Sequence, residues 1–146
     1  MGCVMDETKK IDLKITEVRE LNRILQKRDG NNFNYFNIIN PMGAHAIATG
    51  LDYEIDVLID GHVGYYCAGM NQQSSVTING NAGVGVAENM MSGQVVVKGD
   101  ASQSAGATGH GGLLVIKGNA SARCGISMKG IDLSLIHISE PTRLEP

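Results

Sequence analysis

Few side chains in the central part of this 146-residue chain could act as acids, bases or nucleophiles. Between Gly61 and Gly130 the only carboxylates are Glu88 and Asp100, which stand eight residues and one residue after the nearest glycine of a repeat described below. Acid–base catalysis of hydrolysis commonly uses two carboxyl groups held close together. Because these two occupy different positions in the repeat, no such pair is expected, and Glu88 is interpreted as a turn or interface residue.

The histidines and the glycine-rich stretches also lack a pattern that binds a metal or a phosphate. His62 and His110 fall at different positions of the repeat, His45 precedes it, and no C-x-x-C pair occurs. The segments GNAGVGVAENMMSG and GATGHGG contain neither a strand-to-helix G-x-G-x-x-G turn nor GK[ST]. Three methionines are interpreted as core or interface filler: Met90, Met91 and Met128. The sequence therefore predicts no catalytic, cofactor-binding or metal-ligating residue in this chain.

The elements that position these side chains are set by a repeat of 19 residues. The predicted structural repeat glycines are Gly61, Gly80, Gly99 and Gly118. Each opens a segment with a short polar turn, and the first three segments close with an apolar run such as Val95–Val97. A β-rich unit this short cannot bury its own apolar face, whereas stacked coils can, each strand pairing with its neighbours at roughly 4.8 Å.

Glycine and proline usage fits such a stack of coils. Glycine permits the positive φ angles that the corners of a coil are expected to need. Proline would remove an N–H group that reaches the next coil, and none occurs between Pro41 and Pro141. The fold class predicted is all-β: a right-handed parallel β-helix, or solenoid, with coils of about 19 residues.

The repeat also predicts the environment of the cysteines. Cys67 and Cys124 both stand six residues after their repeat glycine, and Val86 and Ala105 fill that position between them. Three coils would separate the two sulfurs by roughly 14 Å, which is too far for a disulfide. Both are expected to be buried, reduced and inert. The third cysteine, Cys3, makes the count odd, as is typical of a reducing compartment.

Upstream of the repeat the sequence predicts a short helix that caps the first coil. Thr16 can act as its N-cap, Glu17 lies in its first turn, and Asp29–Gly30 can end it. Its apolar stripe consists of Ile15, Val18, Leu21, Ile24 and Leu25. Because this stripe needs a surface to cover, residues 1–32 are expected to be a tail and capping helix, and residues 33–132 a truncated β-helix.

The last residues depart from the repeat. His137 stands where a fifth glycine is due, and Ile136 stands where a polar residue is due. The segment LSLIHISEPTR, Leu133–Arg143, is similar to the direct translation of a transposase adapter used in preparing sequencing libraries. Residues 133–146 are therefore expected to be a non-native tail, and the natural gene is expected to continue with further coils.

Charge and hydropathy exclude several classes of partner and location. The formal net charge of −3 and the pI of about 5.7 argue against binding to nucleic acid or to an acidic membrane surface. No stretch approaches the roughly 20 apolar residues that cross a bilayer. The N-terminus lacks the apolar core of a signal peptide, so a cytoplasmic location is expected.

Several motifs together resemble a known family: INPMGAHAIATGL, GYYCAGMN, GVAENMMSG and QSAGATGHGGLLVIKGNASARCGISMKG. They are similar to the GXGXG-motif β-helix family, which forms the C-terminal domain of the glutamate synthase large subunit. The family also occurs as a stand-alone subunit of enzymes of the N-methylglutamate synthase type. The resemblance covers about residues 11–132.

This resemblance implies a non-catalytic scaffold in a larger enzyme. The implied partners are a glutamine amidotransferase-like subunit and an FMN-binding glutamate synthase-like subunit. FMN and an iron–sulfur cluster are expected in the latter, and none in this chain. The family supplies no catalytic residue to carry over, in agreement with the scarcity of reactive side chains.

Two other functions remain open at the level of sequence. The same β-helix occurs as the third subunit of formylmethanofuran dehydrogenase, a molybdenum or tungsten enzyme. Neighbouring genes would discriminate, since an amidotransferase and an FMN protein favour the first reading and a molybdopterin protein the second. The other alternative is a stand-alone binding solenoid, which predicts a ligand pocket and activity without partners.

Overall fold

A computed structural model describes residues 8–26 and 33–120 together with the backbone of residues 132–135. Within these residues the chain forms one short helix, α1 (Val18–Gln26), and a seven-stranded sheet in which every neighbouring pair is parallel. The strands, which are adjacent in chain order, are β1 (Thr8–Asp12), β2 (Tyr35–Ile39), β3 (Asp56–Asp60), β4 (Ser75–Asn79), β5 (Gln94–Val97), β6 (Leu113–Ile116) and β7 (Asp132–Leu135).

The register confirms the predicted solenoid and its coil length. From β3 onward each residue pairs with the residue 19 positions later, as Val57 pairs with Val76 and Val76 with Val95. The same interval joins β5 to β6 and β6 to β7. Each coil therefore adds one parallel strand to a single sheet.

The strands form because their inward positions repeat large aliphatic side chains. In β4, β5 and β6 the inward residues are fully buried: Val76, Ile78, Val95, Val97, Leu114 and Ile116. β-branched side chains suit a pleated, buried surface, and full burial of each contributes about 1.5–3 kcal/mol. Identical registers then stack these residues into two continuous columns along the solenoid.

The first two coils are longer than the rest. Tyr35 pairs with Thr8, an interval of 27 residues, and with Asp56, an interval of 21. The first interval accommodates α1, so a helix is inserted between two strands of the same sheet. β1 lies in the region for which a tail and helix were expected, and the domain boundary at residue 32 stays a prediction.

The last strand crosses the other predicted boundary. β7 begins at Asp132 and continues to Leu135, opposite Leu114 and Ile116 of β6. Its residues keep the 19-residue register, Leu133 pairing with Leu114 and Leu135 with Ile116. The interpretation of residues 133–146 as a non-native tail stays a prediction.

The predicted helix is present, and α1 packs on residues 46–49 of the coil that follows it. The side-chain oxygen of Asn22 accepts the N–H of Ala48 at 2.8 Å, and its nitrogen donates to the carbonyl of Ala46 at 2.8 Å. In the next coil the equivalent N–H, that of Ala68, donates to the carbonyl of Ile47 at 2.9 Å. Asn22 therefore satisfies backbone groups that otherwise pair with a preceding coil.

The start of the helix differs from the prediction. The carbonyl of Glu17 accepts the first helical hydrogen bond, from Leu21, so Glu17 rather than Thr16 occupies the N-cap. Thr16 lies in the preceding turn, where its N–H donates to the carbonyl of Asp12. Ile15 is 82% exposed and does not belong to the buried stripe. The predicted stop at Asp29–Gly30 lies outside the described residues.

Candidate functional site

Four successive coils, from residue 40 to residue 112, each contain a segment in which every second residue has a positive φ angle. In the coil that follows β3 these residues are Tyr66, Ala68 and Met70, with φ of 59°, 59° and 57°. We call the equivalent stretches the corner segments: residues 46–50, 66–70, 85–89 and 104–108. Their N–H groups still pair between coils, because Ala87 donates to Cys67 at 2.9 Å and Gly106 to Val86 at 2.8 Å. The corner segments therefore form a second ladder that is not a β-sheet.

The inward side of the corner segments is a closed apolar column. Ile47, Cys67, Val86 and Ala105 are all fully buried, as predicted for the last three. Burial raises the pKa of the Cys67 thiol to about 12, so the thiol stays protonated at neutral pH. Because the thiolate is the reactive form, Cys67 is inert as a nucleophile. Cys3 and Cys124 lie outside the described residues.

The repeat glycines are required by close stacking rather than by a positive φ angle. Of the four, only Gly61 has a positive φ, 136°, so the expectation was wrong for the other three. A Cβ atom on Gly80 would lie 2.6 Å from the carbonyl oxygen of Gly61, and one on Gly99 would lie 2.8 Å from that of Gly80. Gly118 meets Gly99 in the same way, at 2.6 Å. No side chain fits at this separation.

The residue after each of the first three repeat glycines joins its coil to the next through its side chain, and the residue after the fourth receives the last of these contacts. We call this set the polar ladder: His62, Asn81, Asp100 and Asn119. Nδ1 of His62 accepts the N–H of Asn81 at 2.9 Å, and Oδ1 of Asn81 accepts the N–H of Asp100 at 2.8 Å. Oδ1 of Asp100 in turn accepts the N–H of Asn119 at 2.8 Å. Sequence reasoning missed the ladder, although an acceptor after every repeat glycine was its signal.

The candidate acids and bases are consequently dispersed over the coil. Asp100 belongs to the polar ladder and Glu88 to a corner segment, so the two carboxylates have different positions, as expected. Nδ1 of His45 accepts the N–H of Tyr65 at 2.8 Å, a role like that of His62. In both rings Nδ1 is therefore the nitrogen that accepts the hydrogen bond. In the described part of the chain, no three His, Cys, Asp or Glu side chains are grouped so as to hold a metal ion.

A buried amide also joins the coils and was not found by sequence reasoning. Asn71 is fully buried, and its Nδ2 donates to the carbonyls of Ser74 at 2.8 Å and Ser92 at 3.1 Å. Its Oδ1 has no hydrogen-bond partner among the described residues. A buried unpaired acceptor costs about 1–3 kcal/mol. The hydrogen bond to Ser74 holds the turn within the coil and the one to Ser92 reaches the next coil, which explains why the amide is retained.

One surface of the corner segments exposes aromatic and methionine side chains. Tyr65, Tyr66 and Met70 are 50%, 48% and 54% exposed, and Met42 is 75% exposed. The rings of His45 and Tyr65 stack with centroids 4.6 Å apart, and Tyr66 meets Tyr65 edge to face at 6.2 Å. We call these five residues the aromatic patch. Because His45 and Tyr65 belong to neighbouring coils, the contact of their rings joins two coils in one exposed aromatic surface.

A cleft of about 300 Å³ lies beside this patch, between the turn after β2 and the end of β3. Its walls are residues 40–43 and 60–62, which include Met42, Asp60 and His62. Hydrogen bonds from Asn37 and Asn79 lower the pKa of Asp60, so this wall of the cleft is negatively charged at neutral pH.

Two further clefts, of about 350 and 280 Å³, adjoin each other on the outer side of the sheet. They share Tyr35, Asp56 and Ser75 as lining residues. Glu54 is a second carboxylate of the larger cleft.

Helix α1 is too short to cross a bilayer, and the described residues contain no other helix.

A comparison with known proteins finds a relative for part of the chain. The chain is 61% identical over 62 residues to Protein GlxC of Rhizobium meliloti (strain 1021). The alignment covers 42% of this chain and 27% of that protein, so the chain matches about a quarter of the relative's length. No protein-family model matches the chain, and no solved structure matches it.

Proposed function

We propose that this chain is a non-catalytic, structural subunit of a glutamate-synthase-like complex of the N-methylglutamate synthase type. Its partners are an FMN-binding glutamate synthase-like subunit, which holds the flavin and an iron–sulfur cluster, and a glutamine amidotransferase-like subunit. The resemblance of the repeat motifs to the GXGXG family supports this assignment, as does a parallel solenoid of the coil length that these motifs predict.

The non-catalytic role is supported by the structural roles of the side chains that could otherwise react. His45, His62 and Asp100 accept backbone N–H groups of the next coil. Cys67 is enclosed in the apolar column, where its thiol stays protonated. Groups already committed to joining the coils are poorly placed to bind a substrate or to transfer its protons.

A solenoid of this kind acts as a rigid spacer because each coil contacts its neighbours over its whole circumference. The sheet ladder and the corner ladder bind every described coil at two separate places. The distance between two partners bound along it is therefore set by the number of coils, at roughly 4.8 Å per coil.

The chain purified alone tests this proposal. It is expected to show no flavin absorbance, and no synthesis of glutamate or N-methylglutamate when the amino donor, the acceptor and a reductant are supplied. The same preparation is expected to form a stoichiometric complex with the FMN-binding subunit in size-exclusion chromatography. Flavin bound to the isolated chain, or turnover by it, would contradict the non-catalytic role.

A further inference from the structure

The aromatic patch has the composition of a protein interface rather than of ordinary solvent-exposed surface. The sequence from residue 61 to residue 87 contains no Asp, Glu, Lys or Arg. This charge-free stretch supplies three of the patch residues: Tyr65, Tyr66 and Met70. Interface centres are depleted in charged residues and enriched in Tyr and Met. A coil that needed only solubility would place charged side chains at such exposed positions.

The tyrosines are held in place before any partner binds. Tyr65 stacks on His45 of the preceding coil. The ring of Tyr66 covers Gly85 of the following coil so closely that a Cβ atom there would lie 2.5 Å from Cδ1. Glycine at position 85 therefore leaves the space that the ring occupies. Side chains fixed in this way lose little conformational entropy on binding, which favours affinity.

The part of the sequence that supplies the patch carries charge of one sign. Between residues 33 and 97 the sequence contains no Lys or Arg but has five carboxylates. They are Asp52, Glu54, Asp56, Asp60 and Glu88. Asp60 lines the cleft beside Met42, and Glu88 lies with the Tyr66 ring around Gly85, whereas Glu54 and Asp56 line the clefts on the outer side of the sheet. Helix α1, which packs on residues 46–49, carries Glu20, Arg19 and Arg23, and Glu17 at its N-cap offsets the extra base. Met42 links the patch to the cleft walled by the ionised Asp60.

This charge distribution selects between the possible occupants. A second copy of this chain placed on the patch would bring one acidic rim against another, which is unfavourable. An apolar surface ringed by Lys or Arg would match both the centre and the rim. The cleft of about 300 Å³ beside Met42 is large enough for one such side chain, and Asp60 lies in its wall.

We propose that the aromatic patch and the Asp60 cleft form the docking surface for a different protein subunit, one that presents apolar side chains ringed by Lys or Arg. This rests on the proposed function, which supplies the two candidate subunits. The tyrosines and Met70 provide the desolvated centre, and Asp60 receives a cationic side chain at the rim. Docking there leaves the outer face of the sheet free for the other partner.

The test measures binding of the full 146-residue chain to each of the two partner subunits by biolayer interferometry. Tyr65→Arg combined with Tyr66→Arg places cations where the partner brings its own, and is expected to weaken binding at least about tenfold. Asp60→Lys is expected to weaken it about three- to tenfold, mainly through slower association. The matched control, Tyr35→Arg, changes an exposed tyrosine on the sheet face, and its binding to the subunit that docks on the patch is expected to stay within about twofold.

Circular dichroism spectra and unfolding midpoints of the variants establish that each is folded. A measurement on the unchanged chain complements them, because opposite charges at the rim predict an association rate that falls as NaCl is raised from 50 to 300 mM. An association rate independent of salt would contradict the proposal that charges at the rim of the patch attract the partner.

The outcomes separate this inference from the proposed function. If the unchanged chain binds neither subunit, the proposed function fails and the docking surface with it. If it binds one subunit and the double tyrosine variant binds equally well, the docking surface alone is wrong. Self-association in sedimentation velocity that the double variant abolishes would show that a second copy covers the patch, and would also overturn the proposal.

Discussion

The sheet and the corner segments both join successive coils, but they differ in backbone conformation and in the size of the side chains that fill the interior. In the sheet, extended strands pair in register, and large side chains such as Ile78 and Leu114 fill the interior. In the corner segments, alternate residues are left-handed and the interior column narrows to Cys67, Val86 and Ala105. Both ladders nevertheless join coils through backbone hydrogen bonds of about 2.7–3.0 Å.

The comparison shows where each part of the coil obtains its specificity. Strands are specified by side chains, because the pattern of inward and outward residues fixes their register. The corner segments place Ala87 and Asn89 at φ of 58° and 57°, which costs roughly 1–2 kcal/mol for each such residue. The stack of coils imposes that conformation, so small residues and close contacts matter more there than hydrophobic volume.

The largest effect is expected where a glycine combines a positive φ angle with a close contact. Gly93 has φ of 88°, and a Cβ atom there would collide with the carbonyl oxygen of Ser74. Gly93→Ala is expected to lower the free energy of unfolding by about 4 kcal/mol. Gly43 has φ of 74° but no atom within 4 Å of the added Cβ, so Gly43→Ala is expected to cost only about 1 kcal/mol. Urea denaturation of both variants measures the difference, and equal losses would show that the contact is unimportant.

The next effect compares the interiors of the two ladders. Ile78 in β4 is fully buried, and Ile78→Ala is expected to cost about 3 kcal/mol through lost burial and a cavity. Ala105 in the corner column is also fully buried, but Ala105→Gly removes one methyl group and is expected to cost about 1 kcal/mol. The same denaturation experiment applies. If Ala105→Gly lowered the free energy of unfolding more than Ile78→Ala, the conclusion that large buried side chains stabilise the sheet more than the corner column would be wrong.

A smaller effect on stability is expected when the pH is lowered, through Asp60 at the end of β3. The amides of Asn37 and Asn79 lower the pKa of Asp60 below its usual value of 3.8, so its ionised form is favoured in the folded state. The resulting stability is present above the unfolded pKa and is lost as pH falls through the lower, folded pKa. Since Asp60 is largely solvated, the effect is about 0.5 kcal/mol or less.

The measurement is the free energy of unfolding between pH 6 and pH 2. Asp60→Asn is expected to be less stable than the unchanged chain at pH 6 and to converge with it toward pH 2. Asn37→Ala keeps the carboxylate but removes the first of its two donors, and should lose part of the same pH dependence. A constant difference across this range would contradict the role of the amides.

The smallest effect, and the only one expected to stabilise, concerns the exit from a corner segment. Gln73 is exposed with φ of 66°, a conformation that glycine adopts without strain. Gln73→Gly is expected to raise the free energy of unfolding by about 0.5 kcal/mol, since relief of strain exceeds the added entropy of the unfolded chain. Gln72, also exposed, is not among the positive-φ residues, so Gln72→Gly should lower it by about 0.5–1 kcal/mol. If both substitutions changed the free energy of unfolding in the same direction, this account would be contradicted.

The sheet could be predicted from sequence because its signals repeat locally. The apolar runs 19 residues apart fix the strands and their register, and the same interval places Val63, Ala82 and Ala101 in one column of parallel bridges. The interior position of Cys67 follows from that register as well. Strand β1 was missed because TKKID has little apolar pattern, and only its pairing with β2 makes it a strand.

The corner segments could not be predicted in the same way. Ala68 and Tyr66 have no intrinsic preference for a left-handed conformation, so the cause lies in the stacking of coils and not in the residues themselves. A positive φ angle was likewise the wrong explanation for three of the repeat glycines. Their cause is close contact with the neighbouring coil, which leaves no signal in the sequence apart from the glycine itself. The aromatic patch required knowledge of which corner residues face outward.

The most direct test of the structural-subunit account omits this chain from a reconstituted complex. The amidotransferase-like and FMN-binding subunits are mixed with and without it, and glutamine-dependent amino-acid synthesis is compared with the partial reactions of each subunit. The account predicts that glutamine hydrolysis and flavin reduction persist without the chain while the coupled synthesis is lost. Coupled synthesis at an unchanged rate in its absence would contradict the account.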